Sequence, residues 1–274
     1  MNSQALSLVD SLVVEIGGVP VVLSCDNPDF LCMVQEQYVH FAHVVDPAAD
    51  SSALRFNVHI LDDGLPADDA DVCVWKDGER WSASRGDFRV HLDGRHHLGS
   101  IHMQLNPYGL NSVLRIVHTM HLACRGGFLL HAASAVRNGA AFVFSGLSGA
   151  GKTTISRCAP RDVMLLSDEI SYIRGDESGF RAFGTPFAGE LARLGENISA
   201  PISTLFFLER GTRNRTLELD RAEAMRRLLR NILFFSADAE LVQQVFDSAW
   251  QLLESVPAYR LAFVPDETVW DLVQ

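Results

Sequence analysis

The sequence predicts an α/β protein with a phosphate-loop core on a mixed sheet, preceded by a smaller α+β lobe. Three observations carry that prediction. Residues Gly146 to Thr153 read Gly-Leu-Ser-Gly-Ala-Gly-Lys-Thr and fit the G-x-x-x-x-G-K-[ST] phosphate loop. An apolar run, Ala141 to Phe144, precedes the loop, and a helix-competent run, Lys152 to Cys158, follows it. The strand that enters the loop is the second arm of a hairpin. Phe128 to Val136 and Ala140 to Phe144 flank Arg137-Asn138-Gly139, and an Asn-Gly turn joins antiparallel strands. An antiparallel neighbour here separates the sheet from doubly wound nucleotide folds, in which the neighbours are parallel. Finally, residues 1 to about 120 hold short runs with strand character divided by turn signals, so they read as a lobe distinct from residues 121–274.

In the first lobe, Leu8 to Ile16 and Val19 to Leu23, split by Gly17-Gly18, read as a hairpin. Asp29 to Val44 has the apolar spacing of an amphipathic helix. Leu54 to Leu61 reads as a strand, and Asp62 to Asp71 as an acidic loop containing proline. Four antiparallel strands are expected next: Val72 to Trp75, Arg80 to Ser84, Phe88 to Leu92 and Ser100 to Leu105. Turn signals fall at Asp77-Gly78, Gly86-Asp87 and Asp93-Gly94. Gly109 to Cys124 is the strongest helix of this half, with Leu110, Val113, Leu114, Val117, Met120 and Cys124 at the helical period and Gly126-Gly127 closing it.

Beyond the phosphate loop, Pro160 stops the short helix, and Val163 to Leu166 reads as a strand ending in Ser167-Asp168-Glu169. Ile170 to Arg174 and Phe180 to Phe183 form a further hairpin, followed by a structured loop, Gly184 to Glu190. Ile202 to Leu208 is a buried strand and Arg210 to Arg215 an arginine-rich loop. Asp220 to Phe235 and Ser236 to Val256 read as helices with Asp220 and Ser236 as N-caps. Tyr259 to Val264 is a last strand and Asp266 to Val273 a closing helix.

Composition narrows the partners. A formal net charge of −11 and the lack of a basic face argue against nucleic acid. No run approaches a membrane span, and Met1 to Asp10 lacks the basic start of a secretory signal. Five cysteines without a C-x-x-C pair suit free thiols in a reducing cytoplasm. The chain has only two lysines, Lys76 and Lys152, and one of them stands where a compact ammonium acts as a point charge on phosphate.

The expected phosphate-binding set is Gly146, Ser148, Gly149, Ala150, Gly151, Lys152, Thr153 and Thr154. Glycines there allow a tight turn in which successive N–H groups point inward, Lys152 reaches the outer phosphates, and the Thr153 hydroxyl takes a magnesium position. Asp168 and Glu169, at a strand end beside the loop, sit where a magnesium-bound nucleotide lies. His131 is either a strand-borne imidazole beside the phosphates or a satisfied core histidine. All ten histidines lie at or before it, so it is the resident imidazole of the nucleotide half. His118 and His121, three apart on a helix, lack a convincing set of further metal ligands.

The Leu130-His131-Ala132 hairpin, the Gly-Leu-Ser-Gly-Ala-Gly-Lys-Thr-Thr loop and the strand ending Leu166-Ser167-Asp168-Glu169 together resemble the catalytic domain of HPr kinase/phosphorylase. They are closer still to the HPr-kinase-related proteins of peptide-modification gene clusters, including those of lasso peptides. The likeness extends over roughly residues 110 to 274, and phosphoenolpyruvate carboxykinase is a more distant relative. The resemblance implies a kinase core of the HPr kinase/phosphoenolpyruvate carboxykinase type that uses ATP and Mg2+ to phosphorylate a serine of a peptide or protein.

It also places Glu169 at the catalytic-base position with Asp168 beside it near the metal, and matches His131 to the family's histidine ahead of the loop. The family usually carries two aspartates there, so the base stays open between Asp168 and Glu169. Glu190 is the candidate for a further metal or substrate contact, and Arg210, Arg213 and Arg215 for a phosphate clamp or a solvated loop. The family's glutamate-and-arginine signature in a glycine-rich segment is not reproduced, so whether the reverse phosphorolysis occurs stays open. By analogy with the kinase relatives, a homo-oligomer is implied. Two alternatives accompany the kinase reading: a catalytically silent nucleotide-binding accessory protein, and a kinase of a small hydroxy compound.

Overall fold

A computed structural model describes residues 11–44, 52–61, 71–191 and 194–273. The protein is mixed α/β, with large mixed sheets and few helices. The chain divides into two compact units, Met1–Val113 and Leu114–Gln274.

The first unit is built on one eight-stranded sheet. β1 (Ser11–Ile16) and β2 (Val19–Ser24) form the expected hairpin, with Val14 opposite Val21. α1 (Pro28–Gln37) follows, with the Asn27 side chain accepting the N–H groups of Asp29 and Phe30. This helix ends well before the predicted Val44. The amides of Phe41 and Ala42 both turn back onto the Tyr38 carbonyl, which buries Tyr38 and Phe41 and lets β3 (Ala42–His43) pair with β1. Burial of two aromatics outweighs continued helix here.

β4 (Leu54–Ile60), β5 (Cys73–Asp77), β6 (Arg80–Arg85), β7 (Phe88–Asp93) and β8 (Leu98–Met103) complete the order β3-β1-β2-β4-β8-β7-β6-β5. The β2–β4 and β4–β8 pairs are parallel, and the others antiparallel. Period-two alternation buries Phe88, Val90 and Leu92 and exposes Arg89 and His91. Leu8 to Asp10 of the predicted hairpin and residues 62–70 of the acidic loop lie outside the described residues.

The second unit takes its shape from two long strands. After α2 (Pro107–Ala123) come β9 (Gly127–Arg137), β10 (Ala140–Ser145) and α3 (Lys152–Arg157). β11 (Met164–Ser167), β12 (Ile170–Asp176), β13 (Gly179–Phe183), β14 (Ser199–Arg210) and β15 (Arg215–Glu218) follow. α4 (Arg221–Leu229), β16 (Ile232–Leu233), α5 (Ala239–Ser255), β17 (Ala258–Phe263) and a 3-10 turn, Glu267–Leu272, end the chain.

The first half of β9 pairs with β12 and β16, and its second half with β10 and β11. β14 likewise meets β13 antiparallel near its start, then runs parallel to β10 and β17. The sheet is therefore mixed, as the hairpin predicts. That hairpin turns through Asn138 (φ 53) and Gly139 (φ 80), the left-handed pair that a two-residue connection demands.

Two helix limits differ from expectation. α4 stops at Leu229 because the following residues leave to pair with β9, where the Asn231 carbonyl accepts the His131 N–H at 2.7 Å. α5 is capped by Asp238, whose side chain accepts the Leu241 N–H, and not by Ser236, whose hydroxyl instead accepts the Asp238 N–H.

The core under the phosphate loop is aromatic. Phe142, Phe144, Phe206, Leu261, Phe263 and Trp270 pack together, with the Phe144 ring stacked on Phe206 and edge-on to Trp270. Each such side chain contributes about 1.5–3 kcal/mol on burial. Trp270 also donates its indole N–H to the Ile155 carbonyl, fixing α3 and so the loop's far end. Among the described residues, no helix is long and apolar enough to cross a membrane.

Candidate active site

Gly146 to Gly151 leave the end of β10 and turn into α3. Gly151 has φ 110, and a Cβ there would lie 2.8 Å from the Phe263 ring, so only glycine lets the loop lie against the end of β17. Lys152 is 8% exposed, and its ammonium donates to the carbonyls of Gly146 (2.8 Å) and Leu147 (3.3 Å). The positive charge is thereby held at the start of the loop. Burial lowers the Lys152 pKa, with Glu169 pulling it back up.

The acidic pair is set by a turn. The Ser167 hydroxyl accepts the amides of Glu169 (3.2 Å) and Ile170 (2.9 Å), swinging the chain from β11 into β12. The two carboxylates then part company. Asp168, 4% exposed, accepts the Gly189 N–H at 2.9 Å through one oxygen and the Leu191 N–H at 3.0 Å through the other. It anchors the loop that carries Glu190. Among the described residues no backbone N–H donates to the Glu169 carboxylate; one oxygen lies 3.7 Å from the Arg115 guanidinium. Burial raises its pKa, against the pull of Arg115. Gly189 is held close, since a Cβ on it would meet the Glu169 Cβ at 2.9 Å and an Asp168 oxygen at 3.2 Å.

This division of labour is testable without any substrate. Asp168→Asn keeps one acceptor and sets an NH2 group against a backbone N–H. It is expected to lower stability by about 1–3 kcal/mol in urea unfolding. Glu169→Gln is expected to leave stability undiminished; equal losses in both variants would refute the assignment.

One cavity of about 400 Å³ gathers the predicted residues. His131 reaches it from β9, and Ser148, Gly149, Gly151, Lys152, Thr153 and Thr154 from the loop and α3. Asp168, Glu169, Gly189, Glu190 and Arg210 complete its wall. Gly146 and Ala150 lie instead on a neighbouring cavity, and Arg213 and Arg215 on a third.

The backbone of His131 is fixed on both sides, its N–H on the Asn231 carbonyl and its carbonyl on the Ser145 hydroxyl (3.2 Å). Burial, then Lys152 and Arg115, lower the ring's pKa, so the imidazole is neutral at pH 7. Thr153, Asp168 and Glu190 contribute only oxygen donors, the kind a hard cation such as magnesium takes. Among the described residues no three His, Cys, Asp or Glu side chains are grouped to hold a metal ion by themselves.

Sequence reasoning missed Arg115. It sits in α2 between the buried Leu114 and Ile116, stacks over the Phe187 ring at 5.1 Å and pairs with Glu169. Its signal was an arginine beside an apolar helical stripe.

No curated protein matches the chain. A family model described as SynChlorMet cassette protein ScmC matches residues 102–274, which hold α2, the phosphate loop, the acidic pair and every strand of the second unit. With more than half of its length matched, the chain belongs to the SynChlorMet cassette protein ScmC family.

Proposed function

We propose that the protein is an ATP-dependent kinase of the HPr kinase type that phosphorylates a serine hydroxyl of a peptide or protein. The observation that carries this reading is the 400 Å³ cavity, where a phosphate-loop backbone with its buried lysine, an acid of raised pKa and the β9 histidine converge from three parts of the chain. Phosphoryl transfer asks for little else, because it proceeds by positioning and charge neutralisation.

The roles follow from the contacts. Lys152 and the loop amides hold the terminal phosphates of ATP, and Arg210 approaches them from the end of β14. The serine oxygen attacks the γ-phosphorus, the bond to the β,γ-bridging oxygen breaks, and ADP leaves. The hydroxyl proton passes to Glu169, the acid whose oxygens are not committed to the 189–191 loop. Raised pKa and partial burial suit a general base. Neutral His131 orients a phosphate oxygen or the acceptor by a hydrogen bond. Thr153, Asp168 and Glu190 would hold magnesium, which when bound neutralises charge on the phosphate oxygens.

The test is incubation with γ-labelled ATP, magnesium and serine-containing peptides encoded beside this chain, together with calorimetry of ATP binding. Label on serine and magnesium-dependent heat of ATP binding are expected. Absence of that heat would overturn the reading. Binding without transfer to any acceptor would favour an accessory protein.

A further inference from the structure

A second cavity, of about 570 Å³, opens on the other face of the phosphate loop, between Gly146–Ala150, the end of β14 and α4. It shares Ser148, Gly149 and Arg210 with the nucleotide cavity. Its wall is arginine-rich, although the chain's formal net charge is −11. Arg227 is committed to structure, paired with Glu209 (2.8 Å) and Glu223 (2.7 Å), and so braces α4 against β14. Arg226 is paired only with Glu223 and is 64% exposed. Arg230, one turn beyond Arg226, is exposed and makes no ion pair or side-chain hydrogen bond among the described residues. Arg213 and Arg215, equally unpaired, continue the positive margin past Arg210.

The two cavities meet at Ser148, Gly149 and Arg210, and Lys152 and Glu169 line the nucleotide cavity. A peptide lying in the arginine-lined cavity can therefore extend its serine past this shared wall toward Glu169. We infer that this cavity binds the acceptor, and that the acceptor is an acidic peptide segment whose carboxylates are read by Arg226, Arg230 and Arg210. The inference rests on the kinase reading and adds the substrate class. Arg230 has no ion pair or side-chain hydrogen bond among the described residues, Arg226 is held by one exposed pair with Glu223, and Arg210 donates to the Gly149 carbonyl. Such guanidinium groups suit carboxylates, which they can bind in a bidentate fork.

The probes are a labelled twelve-residue peptide with one serine among aspartates and its counterpart with asparagines, followed by fluorescence anisotropy with the full chain. The acidic peptide is expected to bind about tenfold tighter, with the preference shrinking as salt shortens the screening length. The Arg226→Ala/Arg230→Ala variant is expected to abolish the preference while ATP affinity by calorimetry holds. Arg230→Glu, at a side chain with no ion pair or hydrogen bond to lose among the described residues, is the second variant and is expected to reverse it. Equal binding of the two peptides by the unaltered protein would overturn the inference. So would a loss of ATP affinity in the arginine variants, which would give the cavity to the nucleotide. Acidic preference with no phosphate transfer under any condition would keep the peptide site and remove the kinase reading, so the two failures are distinguishable.

Discussion

Glu169→Gln is expected to lower phosphate transfer by roughly 10²–10⁴-fold while leaving magnesium-dependent ATP binding in place. Lys152→Ala is expected to abolish both. The separation follows from where the two side chains work. Lys152 is 8% exposed and held at the loop's start, so removing it strips the charge that the terminal phosphates meet. Glu169 stands on the β11–β12 turn and makes no hydrogen bond to the loop among the described residues, so its loss leaves the phosphate cradle standing.

The pH dependence carries the same signature. A base must be ionised to accept the serine proton, and burial raises the Glu169 pKa. The rate is therefore expected to fall on acidification through a pKa above the ordinary glutamate value of 4.5, and this limb should vanish in the residual activity of Glu169→Gln. The stability sign runs the other way. A carboxyl with a raised folded-state pKa holds its proton more tightly when folded, so its contribution is present at low pH and lost as pH rises through that pKa. Glu169→Gln removes that loss, and unfolding at pH 7 should show a protein no less stable than the parent. Full transfer in Glu169→Gln, with transfer lost in a folded Asp168 variant, would move the base to Asp168.

The phosphate loop, the Asn-Gly hairpin and the acidic pair were legible because each is a local pattern with a local physical cause. The hairpin needs two residues in the left-handed region, and Asn138-Gly139 supply them. The mixed sheet followed from that hairpin alone. What the sequence could not show depends on contacts between distant segments. Helix period persists past Gln37, yet the chain turns there because Tyr38 and Phe41 find burial and β3 finds an edge on β1. The same competition ended α4 at Leu229, where Ile232 and Leu233 pair with β9. Asp168 and Glu169 are chemically near-equal neighbours in sequence. Only the approach of Gly189 and Leu191 separates a loop anchor from a carboxylate left facing the cavity. Arg115 is 54 residues from Glu169, and no short-range pattern joins them.

The largest stability effect is expected at His118, which sequence periodicity placed on a helix without giving it a role. The ring is fully buried in α2, neither nitrogen has a hydrogen-bond partner among the described residues, and its edge meets Tyr172 with centroids 5.6 Å apart. Burial, and secondarily His121, push its pKa down to about 3 from the ordinary 6.5. The folded protein thus keeps this imidazole neutral, while the unfolded chain protonates it below pH 6.5. Stability is fully present above pH 6.5 and is lost as pH falls toward 3, by about 3 kcal/mol at pH 4 from this group alone.

His118→Phe keeps an aromatic edge against Tyr172 and cannot be protonated. Its urea midpoint is expected to fall less than the parent's between pH 7 and pH 4, and at pH 7 to be no lower, because an unsatisfied polar ring has been replaced by an apolar one. His118→Leu, which has no ring to set against Tyr172, separates titration from packing: it is expected to start lower at pH 7 and yet show the same flattened acid limb. A parent protein that loses no more stability on acidification than these two variants would show that the ring is not held neutral by burial.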